Sequence, residues 1–157
     1  MIGLAGAIGI SRATLYRYFP NRAELIKNIA LQSIEDTSTA TNGIYVGVHS
    51  YREAFSRMID ALLPLGASYH FLSREFAALG DPEVFEATKK QDEEFFALID
   101  EAKGAGEIDS TLPTRWIARH FDGVLWLAWT ELAEGYVASR DAPKLAFRTF
   151  WGGICSE

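Results

Sequence analysis

The sequence predicts an all-α protein. Apolar residues recur at spacings of three and four positions along most of the 157 residues, whereas strict alternation over the length of a strand is scarce. Apolar residues make up 48% of the chain, a fraction that excludes a natively disordered protein. The strand-like patch at 44–48 contains a glycine and follows a Ser/Thr/Asn run, so we expect a helix end and a connection over 37–49.

Residues 4–19 predict a helix, a tight turn and a second helix. Gly9 stands where such a turn needs a positive φ angle. Ser11 can cap the second helix, and Leu15 and Phe19 lie four positions apart on its inner side. The apolar face of the first helix consists of Leu4, Ala5, Ile8 and Ile10.

Helix breakers divide the rest of the chain. Pro20 and Asn21 end one helix and begin the next, which we expect over 22–36 with Asn21 as N-cap and Glu24 as its capping-box partner. Further helices are predicted at 51–65, 68–79, 82–103, 111–137 and 142–154. Their inward stripes include Phe55, Met58, Ile59, Leu62 and Leu63 in one helix and Val84, Phe85, Thr88, Phe95, Leu98, Ile99 and Ala102 in another.

The charge is unevenly distributed. The formal net charge of −6 and the pI near 5.1, taken alone, argue against a nucleic-acid partner. Residues 1–34, however, hold four cations and one anion, a net charge of +3, whereas the remainder holds eleven cations and twenty anions, a net charge of −9. The sequence therefore predicts a small basic head on a long acidic body.

The cysteine count and the lengths of the apolar segments indicate the cellular compartment that we expect for this protein. Cys155 has no second cysteine with which to form an internal disulfide, and no signal peptide is evident. Charged or polar residues interrupt every stretch that could span a bilayer. We expect a soluble protein of the reducing cytoplasm with no membrane partner.

The outer face of the second predicted helix combines cations, hydroxyls and two phenols without a carboxylate. A solvated helix face normally mixes both signs of charge, whereas a face of this composition suits contact with phosphates and base edges in a major groove. Its residues are Arg12, Ala13, Thr14, Tyr16, Arg17 and Tyr18.

Residues 4–25, LAGAIGISRATLYRYFPNRAEL, resemble the helix-turn-helix of the tetracycline-repressor (TetR) family. The most specific parts are the Gly-Ile-Ser turn, the Thr-Leu-Tyr core and the Tyr-Phe-Pro-Asn-Arg stop. The resemblance implies a DNA-binding head at 1–34 and a helical body at 35–157 that binds a small ligand and dimerises through its last two long helices. The implied function is a ligand-responsive regulator of transcription, most often a repressor.

The same resemblance assigns roles on the DNA. Arg12, Ala13, Thr14 and Arg17 would face bases or the nearby backbone, and the start of the helix near Arg22 would offer free N–H groups to a phosphate. Tyr16, Tyr18 and Arg22 would hold phosphates, although the two tyrosines could instead pack under the following helix. The predicted DNA-binding residues are Ser11, Arg12, Ala13, Thr14, Tyr16, Arg17, Tyr18 and Arg22.

The sequence departs from the family at its N-terminus. Members carry a further amphipathic helix and a basic arm ahead of the turn motif, whereas Met1 stands where the second helix of the family's DNA-binding domain should begin. A start site further upstream, a shortened piece of the gene and a natural truncation that no longer represses are all open. The alternative function is therefore a helical ligand-binding or interaction dimer that has lost DNA binding.

Residues 121–129 are apolar on almost every side, and a helix of that kind must be buried all round. A second copy of the chain would cover the outer face, and a two-fold dimer also suits two half-sites on DNA. One large monomeric core is the alternative. The predicted dimer-interface residues are Gly123, Leu127, Ala128, Phe147, Phe150 and Trp151.

The body also contains an aromatic-rich set of side chains with a few polar groups. Such a set is typical of a pocket for a small apolar or aromatic effector, although aromatics at helical spacing are also ordinary core. Asp122 and Glu131 fall within the apolar helix and need partners if they are buried. The candidate pocket residues are Met58, Leu62, Tyr69, His70, Phe71, Phe76, Phe95, Phe96, His120, Asp122, Trp126 and Trp129.

The sequence offers little for catalysis. The three histidines share no metal-ligand spacing, and no Gly-rich phosphate loop, GxSxG or HExxH motif is present. We therefore expect neither an enzyme nor a bound metal or cofactor. The predicted partners are double-stranded operator DNA, a small-molecule effector and a second copy of the chain.

Overall fold

The computed structural model describes residues 2–66 and 80–155, apart from the side chains of Ile2 and Leu4. The predicted all-α class is confirmed: within those ranges the one β-type pairing is an isolated bridge between Ile108 and Cys155. The predicted helix at 68–79 lies outside the described residues. Each helix of the described ranges is too short or too polar to cross a bilayer.

Seven α-helices make up most of the described chain, and a short 3-10 turn, Leu63–Leu65, extends the fourth. In chain order they are α1 Ile2–Ala7, α2 Arg12–Tyr18, α3 Arg22–Thr41, α4 Tyr51–Leu62, α5 Pro82–Gly104, α6 Thr114–Ala133 and α7 Ala142–Gly152.

The turn between α1 and α2 follows the prediction. Gly9 has a φ angle of 72°, and the Ser11 side chain caps α2. Leu15 on the inner side of α2 is 2% exposed. The predicted apolar face of α1 is partly wrong, because α1 ends at Ala7. Ile8 and Ile10 consequently belong to the turn and are 55% and 37% exposed.

Helix α3 is longer than predicted and runs to Thr41 instead of ending near residue 36. The Ser/Thr run looked like a connection because such side chains compete for backbone hydrogen bonds. Here the Thr41 hydroxyl instead donates to the carbonyl of Thr37, 2.9 Å away, within the helix. The connection begins at Asn42, and Gly43 turns the chain with a φ angle of 75°.

The core of the body is built from α4, α5, α6 and α7. Phe55 of α4 is fully buried and contacts Phe95, Phe121 and Phe150, with ring centroids 6.1, 6.2 and 5.2 Å away. The rings are tilted or edge-to-face, the arrangements that aromatic pairs prefer. All five predicted stripe residues of the segment at 51–65 are buried.

The end points of α6 differ from the predicted 111–137. The carboxylate of Asp109 accepts hydrogen bonds from the amide and hydroxyl of Thr111, which forms a turn, and Pro113 then precedes the helix. Beyond the helix, Gly135 reverses the backbone with a φ angle of 78°. Each end is therefore set by a local turn that periodicity did not detect.

Apolar side chains of two helices are exposed in the single chain: the outer face of α6, which was predicted to need a second copy to cover it, and Phe85, for which the predicted inward position is wrong. Helix α6 buries one stripe, but on its other side Trp116, Trp126 and Leu127 are 68%, 48% and 49% exposed. The helix lies at the edge of the body, so only one of its faces reaches the core. Phe85 of α5 is 65% exposed because its neighbour Val84 occupies the inward position.

Candidate functional site

The first turn of α2 is fixed by its own side chains. The Ser11 hydroxyl oxygen accepts a hydrogen bond from the Thr14 amide at 3.0 Å, and the two hydroxyl oxygens lie 2.8 Å apart. Leu15 faces inward, and Phe19 is half-buried. With its cap and its inner face engaged, α2 presents the remaining side chains outward in a defined orientation.

The outward face of α2 is polar and cationic. Arg12, Ala13 and Arg17 are exposed, as are Tyr16 and Tyr18 at 44% and 64%. Neither tyrosine is buried under α3, so packing does not account for these two rings. In the ranges that the structure describes, neither Arg12 nor Arg17 has a carboxylate within 4 Å.

Arg17 and Tyr18 act as a unit on this face. The Arg17 guanidinium carbon lies 5.1 Å from the Tyr18 ring centroid, and Nη2 donates to the phenol oxygen at 3.4 Å. A cation stacked on an aromatic face loses little rotamer freedom when it binds a further anion. The pair is therefore pre-arranged to meet a negatively charged surface.

Arg22 is the first residue of α3 and borders the same surface. Asn21 caps this helix as predicted, and its Oδ1 atom accepts from the Glu24 amide at 2.8 Å. The other amides at the start of the helix carry partial positive charge and favour anions. Seven of the eight predicted DNA-binding residues lie on α2 or at its N-cap and Arg22 begins the next helix; Thr14 is half-buried and the others are exposed.

An ion-pair link joins α3 to the start of α5. The Lys27 ammonium lies 2.7 Å from Glu83 Oε2 and 3.3 Å from Asp81 Oδ2. Asp81 is also the N-cap of α5, where its Oδ1 accepts from the amides of Glu83 and Val84. The two carboxylates raise the pKa of Lys27 above its usual 10.5, although desolvation opposes them. The head and the body are thereby connected by charge as well as by the chain.

A cavity of about 830 Å³ opens in the body between α3, α4, α5 and α6. Five of the predicted pocket residues line it, namely Met58, Leu62, Phe95, Asp122 and Trp129. Tyr69, His70, Phe71 and Phe76 were predicted to line it too, but they lie outside the described residues.

Three other candidates lie away from this cavity. Phe96 and Trp126 are absent from its described lining, and Trp126 lies on the exposed face of α6. The ring of His120 stacks on Phe150 with centroids 5.6 Å apart, and its Nε2 is buried against Gly153 without a hydrogen-bond partner in the described chain. Helical spacing could not show that α5 and α6 turn these side chains away from the cavity.

Several lining residues were not predicted. Hydroxyl and amide groups from the end of α3 form one wall, and their sequence signal was the Ser/Thr/Asn run assigned to the connection. Tyr45, from the strand-like patch, and Phe121 add aromatic surface. The polar lining from α3 and its end comprises Ser33, Thr37, Ser38, Thr39, Thr41 and Asn42.

Trp129 is held in place in the cavity wall. Its indole N–H donates to the Leu63 carbonyl at 3.0 Å. Gly66 lies directly against the indole, where a side chain would overlap the ring. The tight 3-10 turn and the glycine therefore fix the position of this aromatic face.

The pKa values of two groups at the cavity are raised. For Asp122 the main cause is desolvation, and the nearby Asp92 adds to it, while the Arg119 guanidinium 3.2 Å away opposes both. For Tyr45 desolvation is again the largest cause, followed by the negative charges of Glu101 and Glu94. Neighbouring carboxylates contribute to both shifts, so the potential at these two exposed groups is negative.

The predicted dimer-interface residues divide into three groups. Gly123 and Leu127 lie on the exposed face of α6, and a side chain at Gly123 would meet open space. Ala128, Phe147 and Trp151 are half-buried at the edge of the core. Phe150 is fully buried within the chain, so its contacts are internal.

Comparison with known proteins gives one match for the head and one that extends along most of the chain. Residues 2–29 match the model for bacterial regulatory proteins of the tetR family. Over 138 residues, which are 88% of this chain and 68% of the relative, the sequence is 26% identical to the HTH-type transcriptional repressor LfrR of Mycolicibacterium smegmatis.

Two solved structures share the fold along nearly the whole chain. The TetR-like transcriptional regulator LfrR from Mycobacterium smegmatis, in complex with proflavine, superimposes with a TM-score of 0.78 at 22% identity, covering 99% of this chain and 85% of that one. The ketosteroid transcriptional regulator KstR2 of Mycobacterium tuberculosis gives 0.77 at 16% identity, covering 98% and 83%. The match in the head and the similarity along the body make this chain similar to DNA-binding transcriptional regulators of the TetR family, a family of non-enzymatic proteins.

Proposed function

We propose that this chain is a homodimeric repressor that binds operator DNA through α2 and is released by a small apolar or aromatic effector bound in the body cavity. The exposed, carboxylate-free face of α2 carries the proposal. Arg12 and Arg17 can approach phosphates and guanine edges there without an internal carboxylate to compete for them.

The positions on α2 suggest how the DNA contacts are shared. Arg12, Ala13 and Arg17 project from the helix toward the groove, and the Thr14 methyl group suits contact with a thymine methyl. Tyr16, Tyr18 and Arg22 border this face and suit contact with phosphates. Ser11 acts by holding the first turn of α2, since its hydroxyl is engaged with Thr14.

The exposed face of α6 supports the dimer. Trp116, Gly123 and Leu127 fall on one side of this helix. Two large apolar side chains, Trp116 and Leu127, are thus exposed on the same face, and such patches often mark a protein–protein interface. A second copy would cover them, with Gly123 allowing close approach of the helices. Two copies related by a two-fold axis could also place their α2 helices about 34 Å apart, the spacing of successive major grooves.

The cavity supports the response to an effector. Its volume of about 830 Å³ lies within the range of about 300–1,000 Å³ that is usual for small-molecule sites. It is walled by α3, the helix that continues into the head. An effector that binds better to one arrangement of α3 would shift the spacing of the two heads, and by this route the affinity for DNA. The related repressor LfrR has been crystallised with proflavine.

Operator binding is the direct test. We expect protein made from the complete reading frame to bind DNA from its own gene neighbourhood, with an affinity that falls steeply as salt rises. Arg17→Ala should weaken binding about tenfold or more, because a base or phosphate contact is worth about 1–3 kcal/mol. Fluorescence anisotropy at several salt concentrations measures both effects.

Arg140→Ala is the matched control, since Arg140 is an exposed arginine at the connection between α6 and α7, and we expect it to leave the affinity unchanged. An absence of binding at low salt would contradict the repressor and favour a ligand-binding dimer without DNA binding.

The dimer has its own test. Leu127→Arg places a charge in the middle of the exposed α6 face, and we expect it to convert the dimer to a monomer. Sedimentation equilibrium gives the mass of each species. Phe85→Arg makes the same change in charge at an exposed apolar residue outside that face, and it should leave the mass that of a dimer. Equal masses for the two variants would contradict the proposal that α6 forms the dimer interface.

A further inference from the structure

All the charged side chains in the described part of the cavity wall are acidic. Four carboxylates line it, Glu35 from α3, Asp92 and Glu94 from α5, and Asp122 from α6. The described lining contains no lysine, arginine or histidine. Three different helices thus contribute the same sign of charge to one concave site.

Most of this charge has no internal counter-ion. In residues 2–66 and 80–155, no cationic side chain lies within 4 Å of Glu35, Asp92 or Glu94. Asp122 is paired with Arg119 at 3.2 Å, and both of these side chains are more than half exposed. The negative charge of Asp92 disfavours the ionised form of the Asp122 carboxyl, because the two carboxylates repel each other.

Aromatic rings line the cavity together with the carboxylates. Tyr45, Phe95, Phe121 and Trp129 belong to the same wall, and the centroids of the Phe95 and Phe121 rings are 4.9 Å apart. The face of an aromatic ring carries negative electrostatic potential and attracts cations. The rings and the carboxylates therefore favour the same charge in a ligand, while the rings also require apolar surface on it.

We propose that the cavity selects an organic cation with aromatic or bulky apolar substituents, and that it discriminates against anions of the same shape. This inference rests on the effector site of the proposed function and narrows the ligand class from apolar or aromatic molecules to positively charged ones. The size of the cavity, about 830 Å³, suits a molecule of several rings and greatly exceeds the volume of a metal ion.

Three probes separate charge from hydrophobicity. Tetraphenylphosphonium and tetraphenylborate are a cation and an anion of nearly equal shape, and triphenylphosphine oxide is a smaller neutral molecule with three of the same phenyl rings. By isothermal titration calorimetry we expect the cation to bind at least about tenfold more tightly than the neutral molecule and the anion to show no saturable binding. Equal affinities, tighter binding of the anion, or no saturable binding of the cation would each overturn the proposal.

Substitutions in the cavity wall test whether its carboxylates cause the preference for a cation. The double variant Asp92→Asn, Asp122→Asn should lower the affinity for tetraphenylphosphonium about fivefold to tenfold, as expected for two partly exposed ion pairs, and leave triphenylphosphine oxide unaffected. Glu93→Gln is the matched control, because Glu93 is an exposed carboxylate of α5 that pairs with Lys89 outside the cavity. An equal loss in the control would show a general effect of net charge and overturn the assignment to this wall.

Calorimetry needs no DNA, so its outcome is separable from that of the repressor hypothesis. If the protein binds no operator but prefers the cation, the proposed function fails and the charge selectivity stands. If neutral ligands bind as tightly as the cation and release the operator, the repressor stands and the charge selectivity fails.

Discussion

The head and the body of this chain are stabilised in different ways. Residues 2–34 bury few apolar side chains, and none of these belongs to the main cluster of buried residues in the described chain. The body instead packs Phe55, Phe121 and Phe150 against one another at its centre. The head carries its cations on an exposed helix, and the body carries its carboxylates around a cavity.

In the head, the residues proposed to recognise DNA are different from those that stabilise the fold, whereas in the body some residues do both. The exposed side chains of α2 contribute little to folding, so they can be replaced without unfolding the protein. In the body, residues such as Met58 and Phe95 serve both the core and the cavity wall. A change in ligand specificity there also carries a cost in stability, whereas a change in operator specificity does not.

The largest expected effect is on the core of the body. Phe55→Ala removes a fully buried ring from an aromatic cluster and should lower the free energy of unfolding by about 3–5 kcal/mol. Urea denaturation followed by circular dichroism measures this loss. Phe85→Ala makes the same substitution at a ring that is 65% exposed, and we expect a change of about 0.5 kcal/mol or less. Similar losses at the two positions would contradict the described core.

The same contrast explains how far the sequence could be interpreted. The head is encoded by contiguous residues: Gly9, Ser11 and Asn21 specify its turn and caps, and each appears in the structure as predicted. Its eight candidate DNA-binding residues lie on α2, at its N-cap or at the start of α3, and their contacts with DNA stay a prediction.

The cavity is formed by segments that are distant in sequence, so its lining could be predicted only in part. Periodicity identified Met58 and Phe95, since each lies on the inward stripe of its helix. It could not show which inward residues border a space, nor that the end of α3 would supply hydroxyl groups. His120 was misleading because its place on α6 turns it toward Phe150, which lies on α7.

A smaller effect is expected in the head, at the turn between α1 and α2. Gly9 has a φ angle of 72°, and a Cβ atom there would meet no neighbour, so the effect of Gly9→Ala is purely conformational. We expect a loss of about 1–2 kcal/mol in local stability, seen as hydrogen exchange of the α2 amides that is about five- to thirtyfold faster.

Gly6→Ala is the matched substitution within helix α1, where a Cβ atom likewise meets open space. Alanine favours the helix over glycine by about 0.5–1 kcal/mol, so exchange should slow there. If both variants slow exchange, the positive φ angle at Gly9 is not required by the turn.

The smallest effect concerns the link between the two regions. Desolvation acts to raise the pKa of Asp81, but hydrogen bonds from the amides of Val84 and Glu83 and from Lys27 outweigh it, so this pKa lies below its usual 3.8. A carboxyl with a lowered pKa in the folded state stabilises the protein above the unfolded pKa, and its contribution disappears as the pH falls through the folded value. The link should therefore be intact near neutrality and lost in acid.

Asp81→Asn tests this link because asparagine keeps the capping oxygen but neither carries a charge nor titrates. We expect wild type to unfold at a higher urea concentration than the variant at pH 7, and the difference to vanish as the pH falls through the lowered pKa of Asp81. Lys27→Met should give a smaller difference of the same kind, since the backbone hydrogen bonds to Asp81 remain. A difference that stays constant between pH 7 and pH 3 would mean that the cap alone, without its charge, joins the head to the body.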